Sequence, residues 1–253
     1  MNTAVGTFIS EWLRGLGQIT LLAKESLASV FRRRVAWRDL IYQMYFIGVK
    51  SQSVVLVTGG FTGMVLAAQT YFQFHKIKMD TGVLALVGVS MCSELGPVLT
   101  GLMVAGRAGA AMAAELGTMR VTEQIDALAS MGVNPVKYLV LPRFLAALLM
   151  LPVLTVFSDI IGVAGGLGVS VFVLDANPTI YMKRTFDYLE VADVYGGLLK
   201  AVVFGGIIAL VSCQRGFHAK GGAEGVGQAT TGAVVVSCVL ILISDYIMTA
   251  LLY

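Results

Sequence analysis

The amino-acid sequence predicts an all-α integral membrane protein, with an interfacial amphipathic helix at the N-terminus followed by five transmembrane helices. The mean hydropathy is +0.82, 57% of the 253 residues are apolar and only 13% are charged. A soluble domain carries roughly 25% charged residues. Apolar stretches that approach or exceed the roughly 20 residues needed to span a bilayer recur five times along the chain. We therefore expect a multi-pass membrane protein.

Residues 7–31 have the pattern of an amphipathic helix lying in the membrane surface. Phe8, Trp12 and Leu16 recur at helical spacing, while charged side chains interrupt every apolar run. Trp12 and the three arginines at 32–34 suit the headgroup region of an anionic leaflet. A helix packed on another subunit is the alternative.

The five predicted spans cover residues 51–72, 82–106, 142–174, 195–213 and 229–252. Gly59 and Gly63 form a GxxxG pair in the first span, a spacing that lets a neighbouring helix approach closely. The third span is too long for a perpendicular crossing at about 1.5 Å per residue. We expect it to tilt, protrude or bend, with Pro152 and the glycine-rich residues 162–166 as flexible points.

The distribution of basic residues predicts the orientation. Thirteen lysines and arginines fall on the N-terminal side of the membrane and four on the opposite side. Because basic loops stay in the cytoplasm, we expect a cytoplasmic N-terminus and a periplasmic C-terminus. The acidic outer loop at about 175–194 has room for a short surface helix.

A short helix at 122–131 is predicted in the charged loop between the second and third spans. Thr122 is the expected N-cap, and Glu123 and Asp126 lie in the first turn, where the helix dipole favours anions. An apolar stripe begins at Ile125. Gly132, followed by Asn134 and Pro135, ends the helix.

Ionisable residues inside apolar spans are costly and by default indicate function. Lys200 and Asp245 lie at similar predicted depth, so they can pair, either for gating or headgroup contact or to fix the register of two helices. Glu94 falls near the middle of its span, ahead of Pro97, which removes a backbone hydrogen bond and loosens the helix. It is expected to line a cavity or a proton-linked site, or to be neutral and bonded to a neighbouring backbone. Asp159 has no evident partner.

No catalytic, metal or nucleotide site is predicted. The glycine-rich residues 221–227 lack the GK[ST] ending of a phosphate-binding loop. His75 and His218 are isolated, and the three cysteines have no CxxC spacing, so neither a metal site nor a disulfide is expected. The basic residues are scattered, which gives no reason to expect nucleic acid. Energy for any work must come from a partner or from an ion gradient.

The stretch ELGPVLTGLMVAGRAGAAMAAELGTMRVTEQIDALASMGVNPVKYLVLPR, residues 94–143, resembles the signature region of MlaE-family permeases. These are the membrane subunits of lipid-transporting ABC systems of Gram-negative bacteria and plastid envelopes. The resemblance is close over residues 54–145 and looser to the C-terminus. It implies a non-catalytic, homodimeric permease in the bacterial inner membrane. A separate ATPase subunit would bind ATP and Mg²⁺, and periplasmic MCE-domain proteins would exchange phospholipid with the permease.

The resemblance also implies roles for particular residues. The helix at 122–131 looks like the coupling helix that docks on the ATPase, with contact positions at Glu115, Arg120, Glu123, Gln124 and Asp126. Glu94, Lys200 and Asp245 look like charged family positions implicated in transport, beside a lipid cavity lined by the first, second and fifth spans. Some members carry an arginine immediately before the glutamate, and here that residue is Ser93. A local arginine–glutamate arrangement is therefore absent.

Two other function classes are alternatives to this one. A secondary transporter with Glu94 and Asp245 as proton carriers would need no ATPase, but the internal repeats typical of that class are not visible. An intramembrane lipid-modifying enzyme predicts clustered histidines or aspartates at one depth, which two histidines at span edges do not supply.

Overall fold

Five long helices cross the computed structural model, which describes residues 17, 19–22, 24, 37–75, 83–173 and 177–252. The helices long and apolar enough to span a membrane are α1 (Trp37–Phe74), α2 (Leu86–Val121), α4 (Val136–Phe172), α6 (Val191–Phe217) and α7 (Gly222–Leu252). Two short helices lie between them: α3 (Gln124–Ser130) and α5 (Pro178–Tyr188). The described residues contain no strand, and the predicted all-α architecture with five spans is confirmed.

The predicted surface helix at 7–31 lies mostly outside the described residues. Of its members, 17, 19–22 and 24 are described and helical. Leu22 packs against a cluster that includes Leu116, Ile125 and Leu139, at the α3 end of the molecule. This part of the N-terminal region therefore contacts the helices that lead into and out of the loop containing α3.

The main apolar core forms where α1, α2, α4 and α6 meet. Its fully buried members include Val104 from α2, Leu151 from α4 and Phe204 from α6. More than half of the most apolar window of α2 and of α6 is buried, whereas only 11% of that of α7 is. Helix α7 therefore lies at the periphery of the chain, with most of its apolar surface uncovered.

Several spans contain π-helical turns, in which the helix is locally wider than an α-helix. Tyr45–Val49 lies in α1, Met91–Leu95 and Ala105–Gly109 lie in α2, and Val136–Val140 opens α4. Arg107, in the turn Ala105–Gly109, donates to the carbonyl of Phe46 at 3.1 Å and to the Ser51 hydroxyl at 2.9 Å. The irregular parts of α1 and α2 are thus joined by one arginine.

Glycines bring the backbones of α1 and α4 into contact. A Cβ at Gly63 would overlap the carbonyl oxygen of Gly162, and a Cβ at Gly59 would meet Ser158. The close helix approach predicted from the GxxxG pair is confirmed. The α-helical segment Leu141–Phe172 of α4 is continuous through Pro152 and through residues 162–166. Neither of the expected flexible points interrupts the helix.

Helix α5 is the surface helix expected in the loop between the third and fourth spans. Asn177 caps its start by accepting a hydrogen bond from the Thr179 N–H at 2.9 Å. The Tyr181 hydroxyl donates to the Val163 carbonyl at 3.3 Å, and burial raises the pKa of Tyr181 to about 12. The phenol therefore remains a donor at physiological pH. Helix α5 is fixed against α4 on the side of the molecule opposite α3.

Candidate functional site

A buried lysine holds three membrane-spanning helices together through its ammonium group. The Nζ of Lys200 in α6 lies 2.5 Å from Oε2 of Glu94 in α2 and 3.3 Å from Oδ1 of Asp245 in α7. It also donates to the hydroxyl of Thr249 at 2.8 Å and to the carbonyl of Ser93 at 3.3 Å. We call Ser93, Glu94, Lys200, Asp245 and Thr249 the lysine cluster.

The backbone of α2 supplies one of these acceptors because of a proline. In a regular helix the carbonyl of Ser93 would accept the N–H of the residue four positions later, which is Pro97 and has no N–H. The π-helical turn Met91–Leu95 ends here, and the Gly96 N–H bonds to the carbonyl of Met91. Lys200 therefore takes a carbonyl that the proline leaves without its helical donor. The loosened helix predicted at this point is present.

Thr249 is the member of the lysine cluster that sequence reasoning missed. Its hydroxyl accepts from Lys200 and lies 3.0 Å from Oε1 of Glu94 and 2.9 Å from the Asp245 carbonyl. It stands one helical turn after Asp245, on the same face of α7. That spacing was the available signal, but a threonine in an apolar helix usually bonds only to its own backbone.

The sequence prediction for these residues was partly right. The pair between Lys200 and Asp245 is confirmed. Glu94 was placed near the middle of its span and apart from this pair, but its carboxylate contacts the Lys200 ammonium, so the three side chains form one group. Glu94, Lys200 and Asp245 lie seven to nine residues from the α5-side ends of their spans. They share one depth and one site.

The lysine cluster reaches the molecular surface through its acids. The Lys200 side chain is 0% exposed, whereas Asp245 is 20% and Glu94 34% exposed. With both carboxylates ionised, the two acids and one ammonium sum to a formal charge of −1. A group that approaches from outside therefore meets carboxylate and hydroxyl oxygens first, and reaches the ammonium only if these move.

Asp159 lies apart from the lysine cluster, in α4. It is 8% exposed, its carboxylate packs against Gly96, and among the described residues its Oδ1 has no hydrogen-bond partner. No role is assigned to Asp159.

The loop helix α3 is held to the rest of the chain by the apolar side chains of Ile125 and Leu128 and by one ion pair. Ile125 is the buried residue of α3 and packs on Leu116 and Val140. Asp126 forms an ion pair with Arg120 at the end of α2. The remaining charged and polar face is exposed, so α3 presents a polar surface at this end of the molecule.

The expected N-cap of α3 was wrong. The Thr122 hydroxyl donates to the Thr118 carbonyl at 2.8 Å and so belongs to the last turn of α2. Glu123 directly precedes the helix instead. Its backbone is left-handed (φ 59°), and its side chain makes no capping hydrogen bond. The reversal between α2 and α3 is thus made at a non-glycine residue, which costs conformational energy.

The residues predicted to contact a partner fall into two groups. Glu123 and Gln124 are exposed beside α3. Glu115 lies in α2, and its Oε2 is 2.9 Å from the guanidinium of Arg143, which is only 4% exposed and also donates to the Leu139 carbonyl. Glu115 therefore already has a structural task within the chain.

Comparison with known proteins places the chain. The family model described as Permease MlaE matches residues 40–251. The chain belongs to the MlaE permease family. A probable ABC transporter permease protein of Rickettsia felis is 47% identical over 99% of this chain and 96% of its own length. One of Synechocystis is 40% identical over 97% of this chain and 93% of its own.

A plant relative extends the family beyond bacteria. Protein trigalactosyldiacylglycerol 1, chloroplastic, of Arabidopsis thaliana is 36% identical over 95% of this chain and 68% of its own length. The predicted family is thus confirmed. An MlaE-family chain is a permease of an ABC transporter, which makes it a multi-pass membrane subunit and implies an ATPase partner.

Proposed function

We propose that this MlaE-family permease moves phospholipid, works as a homodimer in the bacterial inner membrane, and exchanges its lipid with a periplasmic MCE-domain protein. A separate ATPase subunit binds ATP and Mg²⁺ and drives the cycle; this chain binds neither. The observation that carries the lipid assignment is the lysine cluster, a buried ammonium whose acids open to the surface among apolar spans. The galactolipid in the name of the plant relative supports a lipid substrate.

The lysine cluster fits a molecule that is polar at one end and apolar at the other. Charged side chains at this depth are expensive unless they pair with one another or face a polar cavity, and the apolar spans around them accept acyl chains. A zwitterionic headgroup offers an amine to Glu94 and Asp245 and a phosphate to Lys200. In this proposal the phosphate replaces one carboxylate at the Lys200 ammonium, so the ion pairs exchange partners as lipid enters and leaves.

The polar surface beside α3 is the proposed docking site of the ATPase. Glu123, Gln124 and Asp126 are exposed there, next to the exposed apolar side chains of Met131 and Val133. Arg120 orients Asp126 through their ion pair. Glu115 contributes indirectly, by holding Arg143 at the start of α4. Movements of the ATPase would reach α2 and α4 through the two ends of this loop.

The test is co-purification of the permease with its ATPase. The double variant Glu123→Arg with Asp126→Arg reverses two exposed charges, and Glu123→Arg alone leaves the ion pair between Arg120 and Asp126 intact. Asp187→Arg on α5 makes a similar reversal on the opposite side. We expect the ATPase to be lost with both Glu123 variants and kept with wild type and Asp187→Arg, all four giving a monodisperse permease.

If no ATPase co-purified with the wild-type protein, the proposal that ATP hydrolysis drives this permease would be rejected. The alternative, a secondary transporter with Glu94 and Asp245 as proton carriers, would then be favoured. If the ATPase were kept by all variants, its docking site would lie elsewhere than α3.

A further inference from the structure

Helix α5 has three distinct faces, each marked by a pair of residues one turn apart. Tyr181 and Thr185 are buried. Met182 and Phe186 are apolar and exposed, with Phe186 at 70%. Lys183 and Asp187 are charged and exposed. The helix therefore has a packed face, an uncovered apolar face and a polar face.

The packed face fixes α5 at the depth of the bilayer edge. The Tyr181 hydroxyl reaches Val163 of α4, nine residues before the end of that span at Phe172, which is about 13 Å along an α-helix. The methyl group of Thr185 packs on Gly88, two residues inside the start of α2. Both contacts are with residues inside membrane-spanning helices, so α5 lies beside the spans rather than above them.

The uncovered apolar face continues the apolar surface of the spans. Phe172 at the end of α4 is 88% exposed, and Val191 and Tyr195 in the first turns of α6 are 86% and 70% exposed. Aromatic side chains with polar tips or neighbours concentrate at membrane–water interfaces. Helix α5 adds Met182 and Phe186 to this apolar surface.

We propose that α5 is an interfacial helix, lying in the lipid headgroup region on its side of the membrane with Met182 and Phe186 among the lipids and Lys183 and Asp187 in water. The occupant of the uncovered face is the membrane itself. Thr185 packs on Gly88, one turn before the π-helical turn that carries Glu94. Helix α5 therefore links the membrane surface to the part of α2 that leads to the lysine cluster. The inference is independent of which molecule the permease carries.

The test measures the depth of single tryptophans by fluorescence. Trp12 and Trp37 are replaced by phenylalanine, and Phe186→Trp is compared with the matched control Asp187→Trp. The neighbouring position projects about 100° away around the helix. Each variant is reconstituted in phosphatidylethanolamine–phosphatidylglycerol vesicles that contain lipids brominated near the headgroup or near the chain end.

We expect Trp at 186 to emit at shorter wavelength than Trp at 187 and to be quenched several-fold more strongly, with the shallow bromines acting best. Equal quenching at the two positions would overturn the proposal. So would a Trp at 186 that becomes shielded only when the complete transporter with its periplasmic partner is assembled, because that result would assign the face to a protein.

A second measurement tests the same proposal without the tryptophan variants, in case these fail to fold. Met182→Cys, in a background without Cys92, Cys213 and Cys238, is labelled with a nitroxide and compared with Lys183→Cys. We expect greater relaxation by oxygen at 182 and by a water-soluble nickel chelate at 183. The reverse order, or no difference, would contradict an interfacial α5.

Discussion

The ammonium of Lys200 lies 2.5 Å from the carboxylate of Glu94, and the lysine is wholly buried while about a third of the glutamate side chain is exposed. Glu94 can exchange its partner at the surface without exposing buried residues. Removal of Lys200, in contrast, leaves both Glu94 and Asp245 without their ammonium partner. This asymmetry determines what substitutions in the lysine cluster should do.

Lys200→Met should destabilise the permease more than loss of either acid. Removal of one partner from a buried charge pair typically costs about 3–5 kcal/mol, because the other charge is left without compensation. We expect the double variant Lys200→Met with Glu94→Gln to be more stable than the sum of the two single effects predicts. Chemical unfolding in micelles measures all three. Strict additivity would show that the two side chains do not interact.

Pro97→Ala should raise stability and lower transport. The new N–H at 97 can donate a helical bond to the Ser93 carbonyl, worth about 0.5–1.5 kcal/mol, but it competes with Lys200 for that carbonyl. Pro152→Ala in α4 is the control, since it also removes a helical proline and lies outside the lysine cluster. Lipid transfer in proteoliposomes and unfolding are compared. An increase in both stability and lipid transfer for Pro97→Ala would contradict the proposed role of Pro97, which is to leave the Ser93 carbonyl free for Lys200.

Gly63→Ala should force α1 and α4 apart. Its Cβ would overlap the backbone carbonyl of Gly162, and backbone cannot move aside as a side chain can, so we expect a loss of about 1–3 kcal/mol. Gly168→Ala on α4 meets nothing within 4 Å and should instead stabilise by about 0.5–1 kcal/mol. Thermal unfolding of the two variants should shift in opposite directions; a shift in the same direction would place the helices farther apart than described.

Glu115→Ala should destabilise the permease itself, because it leaves the nearly buried Arg143 without its acid. We expect a loss of about 1–3 kcal/mol. Glu123→Asn removes a charge from the same side of the molecule and keeps a residue that tolerates the left-handed backbone, so stability should hold while binding of the ATPase weakens. Unfolding and co-purification separate the two roles. Equal stability of the two variants would show that Glu115 has no structural role and would favour a direct contact with the ATPase instead.

Composition and spacing were enough to predict the parts of the fold that depend on long apolar runs. Five spans, the close contact at Gly59 and Gly63, and the pair between Lys200 and Asp245 all follow from residue type and distance along the chain. The contact between Glu94 and Lys200 could not be read from hydropathy, because apolar run lengths do not show which faces of α2 and α6 pack together. Residues 107–121 mix charges with small apolar residues and continue the helix beyond the predicted span.

Other features have no reliable sequence signal. The left-handed backbone at Glu123 occurs where glycine or asparagine would be expected, so the boundary between α2 and α3 was predicted too early, at Thr122. The π-helical turns have no composition of their own, although Pro97 and Pro142 each stand two residues after the end of one of them. Thr249 became recognisable only when its hydroxyl was seen between Lys200 and Glu94.

The π-helical turn Ala105–Gly109 also bears on how the chain can change in length. A π-helical turn holds one residue more than the α-helical turn it replaces. Deletion of one residue there, such as the open Gly106, would leave a regular helix in which the flanking segments Gly96–Val104 and Ala110–Val121 keep their present orientations. A deletion between the turns would rotate all that follows by about 100° and move Glu115 away from Arg143. Loss of one codon within α2 should therefore be tolerated at Ala105–Gly109 and not between the two π-helical turns.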